Sequence, residues 1–294
     1  MPELPEVETI RRGLEELVVG AKIEAVKILV AKSYRGTHQD LNQYMIGARI
    51  SQIRRFGKLL VFDLDNGHSF LVHLAMTGQL VFRSLDSSRD FGGGHPSDSF
   101  VHRLPDSSTR FIWRLDNGLL FFNDQRIFGY IELVATSSVG QIPFIAKMGP
   151  EPFHYTEASV EEFLERINHH LGMPIKGAIL DQAIAGGVGN IYADESLWMS
   201  EIHPATRVHF LTPEQLRAVF IHVAEVIQTS IDHGGSTSRN YINAKGERGR
   251  YLDFANVYGR QGLPCARCGT TIVKIKVAGR GTHICPTCQV QTIQ

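Results

Sequence analysis

No stretch of this 294-residue chain approaches the roughly 18 to 20 consecutive apolar residues of a membrane-spanning helix. The amino terminus, Met1-Pro2-Glu3-Leu4-Pro5-Glu6, lacks the basic start and apolar core of a secretory signal, so a cytoplasmic location is expected. Charge of one sign is not in excess: 30 Lys and Arg balance 30 Asp and Glu, which on its face argues against a strongly anionic partner. There is no internal repeat. Cysteine is scarce, with four in the whole chain. What is present is a hydrophobic content of 43%, enough for a globular core over about two domain lengths.

The overall charge balance hides an asymmetry. From Ser236 onward there are nine basic residues against Glu247 and Asp253, a formal charge of +7. The first 235 residues therefore hold 21 basic against 28 acidic groups, or −7. An electrostatic field follows where charges sit, not their sum, so the tail is the anion-binding end. All four cysteines lie in this tail as Cys265-x2-Cys268 and Cys285-x2-Cys288, separated by sixteen residues. Two disulfides or a redox pair would use the same residues, but in a reducing compartment this spacing favours one tetrahedral four-thiolate zinc site. Four protein ligands leave no open position, so the expected role of the metal is structural.

Residues 3 to 19 carry Leu4, Val7, Ile10, Leu14, Leu17 and Val18 at helical steps, with Pro5 acceptable in the first turn and Gly20 as a stop. Short strand-like runs follow to about Ala135, among them 22–30, 59–65, 70–74, 110–115 and 119–122. Asp-Asn-Gly at 65–67 and 116–118 reads as hairpin turns. An antiparallel sandwich or barrel is expected. The polar, Gly/Pro/Ser/Asp-rich stretch 84–109 reads as a surface loop. A boundary is placed near Gly149, and helical periodicity follows it. Ser159 with Glu162 suggests a capping box for a helix through Leu171, and 174–185 suggests a second helix. The clearest has Thr212 as N-cap, Pro213 at its first position, and Gly234-Gly235 as its stop. The zinc segment is expected to be a hairpin turning at Ala278-Gly279-Arg280-Gly281. The domains so read are 1–135, a linker 136–152, a helical domain 153–235, and a terminal part 236–294.

Several residues suit a particular chemistry. Removal of Met1, expected before a small second residue, leaves Pro2 with a secondary amine that attacks electrophilic carbon and yields a cationic iminium. The positive end of the first helix beside it disfavours protonation, and Glu3 and Glu6 bring carboxyl groups for proton transfer. An acidic first turn after proline is also an ordinary helix start. Gly186-Gly187-Val188-Gly189-Asn190, between two helices, suits a phosphate against backbone N–H groups, and equally a tight helical connection. Arg280 at the hairpin tip reads as a phosphate contact or as one more solvated arginine, and the basic tail around it favours contact.

Together these pieces resemble the bacterial formamidopyrimidine-DNA glycosylase family over nearly the whole chain. The resemblance is carried by 1–9 (MPELPEVET), Phe56-Gly-Lys58, 73–78 (HLAMTG), 126–129 (RIFG), 187–193 (GVGNIYA), 257–260 (VYGR) and the four cysteines. It implies an α+β enzyme of two domains. The first is an antiparallel β-sandwich flanked by helices, the second a helix-two-turn-helix bundle with a four-cysteine zinc-finger hairpin, and DNA lies in the cleft between them.

By this resemblance Pro2 attacks C1′ of an oxidised purine nucleotide, 8-oxoguanine or a formamidopyrimidine, and Glu3 serves in acid/base steps. A Schiff base then leads through β- and δ-elimination to strand cleavage. Lys58, Asn190 and Arg280 match phosphate contacts, with Lys58 also near the chemistry, and Lys176 matches a basic residue near DNA. A base inside a duplex must be turned out before it can react, and Met76, Arg126 and Phe128 match the residues that fill the gap. Segment 235–241, with Arg239 and Tyr241, matches a loop closing over the lesion base, which Glu6 also touches. One structural Zn²⁺, no organic cofactor, damaged double-stranded DNA as partner, no membrane, and a monomer at the bacterial nucleoid complete the expectation.

Stretch 84–109 is longer than usual in the family, and Ser107-Ser108-Thr109-Arg110 stands where many relatives have Lys-His-x-His. An endonuclease VIII-like enzyme for oxidised pyrimidines is the alternative within the superfamily. Leu4, in place of the glycine usual there, and the Met76, Arg126, Phe128 set favour the purine enzyme. A zinc-containing DNA-binding protein without catalysis is the alternative of another class.

Overall fold

The computed structural model describes residues 2–86, 88–95, 103–236 and 250–291. It divides into two compact units, Met1–Ala146 with His233–Arg250, and Lys147–Asp232 with Tyr251–Gln294.

The first unit begins with helix α1, Leu4–Val18, whose apolar stripe of Leu4, Val7, Ile10, Leu14, Leu17 and Val18 is buried. Glu3 is its N-cap in a reciprocal box with Glu6. Two carboxylates so take up the orphan N–H groups at the helix start and complement its positive end. The chain leaves the helix at Gly20, which has φ +86°.

Ten strands form two five-stranded sheets. They are β1 Ile23–Ile28, β2 Tyr34–Arg35, β3 Ile50–Phe56, β4 Leu59–Leu64, β5 His68–His73, β6 Gly78–Ser84, β7 Phe91–Gly94, β8 Thr109–Leu115, β9 Gly118–Asp124 and β10 Tyr130–Ala135. One sheet runs β1-β8-β9-β6-β7 and the other β2-β10-β5-β4-β3. Pairing is antiparallel except between β10 and β2. Alternate residues of the two sheets meet in one core, where the Phe70 ring lies 5.2 Å from that of Trp113. This is the sandwich form of the expected fold, with α1 adding Val7, Ile10 and Leu14 to the same core. Both Asp-Asn-Gly sites turn hairpins, joining β4 to β5 and β8 to β9.

Stretch 84–109 is not loop throughout, which corrects the sequence expectation. Its Phe91–Gly94 pairs with β6 as an edge strand. Phe91 is buried, and a Cβ on Gly13 of α1 would stand 2.2 Å from the Phe91 ring. The glycines that suggested a loop instead keep this strand free of bulk beneath a helix.

In the second unit, helices α2 Glu157–Asn168 and α4 Asn190–Met199 both pack on α5 Pro213–Asp232, and the short α3 Ile175–Leu180 packs on α4. The N-cap of α2 is Thr156, three residues before the expected Ser159, because Ser159 is the cap's reciprocal partner. Glu162 is then released to pair with Arg166 at 2.7 Å. Thr212 caps α5 as expected, its hydroxyl accepting from Gln215 N–H at 3.3 Å. A hairpin of β11 Val273–Val277 and β12 Arg280–Ile284 turns through Ala278-Gly279 and carries the cysteine pairs at its base. Trp198, Val257, Ile272, Cys265 and Cys285 form a small core beneath it. Among the described residues no helix is long and apolar enough to cross a membrane.

Candidate functional site

In the first unit Pro2 and Glu3 are buried at the start of α1. Glu3 N–H donates to Glu6 Oε2 at 2.8 Å, while Glu6 Oε1 accepts from Ser236 N–H and Oγ, each at 2.7 Å. Glu6 therefore fastens the helix start to the root of segment 235–241. Gly235 has φ +92°, and a Cβ there would be 3.3 Å from Glu6 Oε1. Residues 237–241 of that segment, with Arg239 and Tyr241, lie outside the described residues. Arg55 of β3 binds the Glu8 carboxylate at 3.0 Å and so ties α1 to the sheet.

Lys58 is half-buried in the turn between β3 and β4, after Gly57 at φ +56°. In the neighbouring strand, His73 is held down to a pKa of about 4 by burial and then by the charges of Lys58 and Arg35. Its neutral ring stacks on Tyr130 at 5.4 Å, and Arg35 covers that tyrosine.

Met76 and Phe128 are large apolar side chains left 41% and 51% exposed. Arg126 lies between them, with Nη1 3.2 Å from the Met76 sulfur and Cζ 4.6 Å from the Phe128 ring centre. The structure thus brings Met76 together with Arg126 and Phe128, about fifty residues later in the chain, as one cluster of two exposed apolar side chains and a guanidinium.

In the second unit Asn190 begins α4 after a glycine turn with Gly187 at φ +83°, and its amide donates to Gly281 O at 3.1 Å. The first turn of a helix is thereby joined to the hairpin tip, one residue from exposed Arg280. Lys176, expected near DNA, does not face outward. It is 0% exposed, and its ammonium contacts Asp194 Oδ1 at 2.6 Å, Thr282 Oγ1 at 2.7 Å and Gly281 O at 3.2 Å. A buried ammonium needs such partners, and here they lock α3 and α4 to the hairpin.

The four cysteine sulfurs lie within 4.8 Å of one another. Cys265 and Cys288 are 3.9 Å apart and Cys268 and Cys285 are 3.4 Å apart, far beyond a disulfide bond of about 2.05 Å. A tetrahedron of sulfurs about 2.3 Å from a central zinc has edges of about 3.8 Å, so this donor set fits the ion. The site is one structural zinc centre.

Sequence reading missed the buried carboxylates that hold the functional residues. Asp194 accepts from Lys176 and from His283 N–H at 2.9 Å. Glu195, its pKa raised by burial, accepts from the N–H groups of Asn256, Val257 and Tyr258 and so shapes the 257–260 turn. Asp124 holds the loop of Arg126 and Phe128. Their one available signal was acidic residues amid apolar ones, as in Ala193-Asp-Glu-Ser-Leu197.

Comparison with known proteins agrees with this architecture. Residues 1–131 match the formamidopyrimidine-DNA glycosylase N-terminal domain, 148–241 the H2TH domain of the same proteins, and 262–290 a zinc finger found in FPG and IleRS. The chain is 36% identical over 291 residues to the formamidopyrimidine-DNA glycosylase of Desulfitobacterium hafniense, covering 99% of this chain and 100% of that protein. It is 39% identical over 292 residues to that of Herpetosiphon aurantiacus, covering 98% and 100%. A crystal structure of a Lactococcus lactis FPG mutant with Fapy-dG containing DNA superposes with a TM-score of 0.86 at 33% identity, covering 99% of this chain and 100% of that one. A MutM complex with carbocyclic 8-oxo-G containing DNA gives 0.84 at 33% identity with the same coverage. The chain belongs to the formamidopyrimidine-DNA glycosylase family.

Proposed function

We propose that this protein is a bifunctional DNA glycosylase and abasic-site lyase of base excision repair, acting on 8-oxoguanine and formamidopyrimidines in double-stranded DNA. The full-length likeness to glycosylases of that name, with solved relatives bound to Fapy-dG, 8-oxo-G and abasic-site DNA, supports the substrate class. The observation that carries the reaction is the placement of Pro2 directly before a helix start capped by Glu3 and Glu6. A helix N-terminus carries about half a positive charge, which keeps a neighbouring amine unprotonated and nucleophilic.

With Met1 removed, the Pro2 nitrogen attacks C1′ of the extruded nucleotide and the glycosidic bond breaks. The base leaves with the bonding electrons and takes up a proton, which the Glu3 carboxyl is suited to deliver. Ring opening leaves an iminium between Pro2 and the sugar. Loss of a C2′ proton expels the 3′ phosphate, and a second elimination expels the 5′ phosphate. Hydrolysis then returns the free amine. Lys58 holds phosphate beside these steps, and Asn190 with Arg280 holds the backbone from the second unit.

Met76 and Phe128 fill the emptied stack while Arg126 bonds the orphaned base. Zinc at Cys265, Cys268, Cys285 and Cys288 constrains the hairpin and takes no part in bond-making. The bacterial relatives and the genomic substrate support action at the nucleoid in the cytoplasm.

Incubation with duplex DNA holding 8-oxoguanine opposite cytosine, with borohydride, tests the reading. The wild-type protein gives a covalent complex on damaged but not on intact duplex, and Pro2→Gly lowers its yield by about a hundredfold or more. No complex with the wild type, or an undiminished yield with Pro2→Gly, refutes it.

A further inference from the structure

We propose that Thr77 and Asp124 are positioning residues that set the exposed wedge of Met76, Arg126 and Phe128 in its inserting geometry before DNA is met. The proposal rests on the glycosylase reading above and assigns to two buried side chains the cost of extrusion, not the chemistry.

The wedge stands on two loops of the first unit, after β5 and after β9. Asp124 is 0% exposed, and both of its carboxylate oxygens are engaged. Oδ1 accepts from the Thr77 hydroxyl and from Arg126 N–H at 3.2 Å. Oδ2 accepts from Phe128 N–H at 2.9 Å and Gly129 N–H at 2.7 Å. The Thr77 oxygen accepts in turn from Arg126 N–H at 3.0 Å. Thr77 follows Met76 directly, so one knot joins the neighbours of all three wedge residues.

The backbone needs that knot. Ala75 and Ile127 lie in the left-handed region at φ +50° and +56°, each directly before a wedge residue. L residues resist this region, and a β-branched residue such as Ile127 resists it most. Such conformations persist only where surrounding bonds over-determine them. Here those bonds are the N–H groups gathered on Asp124. Gly129 completes the turn, since a Cβ there would come within 2.7 Å of His73 O.

A preset wedge enters the stack without first ordering its loops, so less interaction energy is spent on insertion. Asparagine in place of Asp124 presents a donor at one of the two oxygen positions. Turned one way, its amide faces the Phe128 and Gly129 N–H groups, two donors that lose their acceptor. Turned the other, it faces Arg126 N–H, which loses its bond to residue 124, and the Thr77 hydroxyl must reverse from donor to acceptor.

The test compares single-turnover excision of 8-oxoguanine opposite cytosine in a duplex with excision of the same lesion in a single-nucleotide bulge, where little stacking or pairing is left to break. Asp124→Asn is expected to slow the duplex reaction about thirtyfold while staying within about threefold of wild type on the bulge. Thr77→Val should behave in the same way, and Thr77→Ser, which keeps the hydroxyl, should restore the duplex rate. Equal losses on both substrates, or no loss, overturn the proposal. If Asp124→Asn does not fold, the Thr77 pair decides, and equal duplex rates for the Val and Ser variants overturn it. A wild-type protein inactive on both substrates would instead refute the glycosylase reading itself.

Discussion

At the scale of single residues, buried charges decide how the exposed ones are placed. Lys176 shows the limit of reading a lysine from sequence. The chain shows a basic residue in a short helix, but its partners Asp194 and Thr282 lie 18 and 106 residues away and meet it only in the fold. Lys176→Ala should lower unfolding stability by about 3 to 5 kcal/mol in urea denaturation, because it leaves the Asp194 charge buried without its partner. A loss of well under about 1 kcal/mol, typical of surface pairs, would contradict the locking role.

His73 allows a second check, with its pKa lowered from 6.5 to about 4 by burial and by nearby Lys58 and Arg35. Between those values the unfolded chain binds the proton and the folded one does not. Its stabilising contribution is therefore full above about pH 6.5 and is lost as pH falls toward 4. The loss should be on the order of 2 to 3 kcal/mol and should be absent in His73→Phe. Identical pH slopes in the two proteins would refute this account. By contrast, the two Cys-x2-Cys pairs were legible because each pair chelates from near neighbours in the chain.

At the scale of elements, local patterns predicted types well and ends less well. Helix α1, both Asp-Asn-Gly hairpins and the capped start of α5 follow from residues within a few positions of one another. The start of α2 shifted to Thr156 because Ser and Thr both cap, and only the hydrogen bonds tell which one does. Strand β7 escaped notice for another reason. Its three consecutive glycines have weak strand preference alone, and their use appears only when α1 lies across them. Gly13→Ala should therefore destabilise the first unit by about 1 to 3 kcal/mol, because its methyl would overlap the Phe91 ring 2.2 Å away. An exposed helical glycine would give the opposite sign, a gain of up to about 1 kcal/mol. Thermal unfolding of this one variant separates the two cases.

At the scale of the whole molecule, a chain of zero net charge divides that charge unevenly along its length, a division that binding to an anionic polymer would use. The terminal 59 residues carry +7, and the cysteine pairs and Arg280 lie within them. Thiolate coordination is the constraint that holds the hairpin, since its own core is small. Cys268→Ser, or chelation of the wild type, should unfold the hairpin and abolish salt-dependent duplex binding while the cooperative unfolding of the β-sandwich persists. Retained binding in a zinc-free protein, read by filter retention and metal analysis together, would contradict a structural metal.

The proposed reaction is defined by which atom becomes bonded to deoxyribose. Peptide mapping by mass spectrometry of the borohydride-reduced complex with 8-oxoguanine duplex measures this. The predicted result is a sugar adduct on the nitrogen of Pro2 in a chain lacking Met1. An adduct on Lys58 or another lysine, or full turnover by a protein that retains Met1, would contradict it.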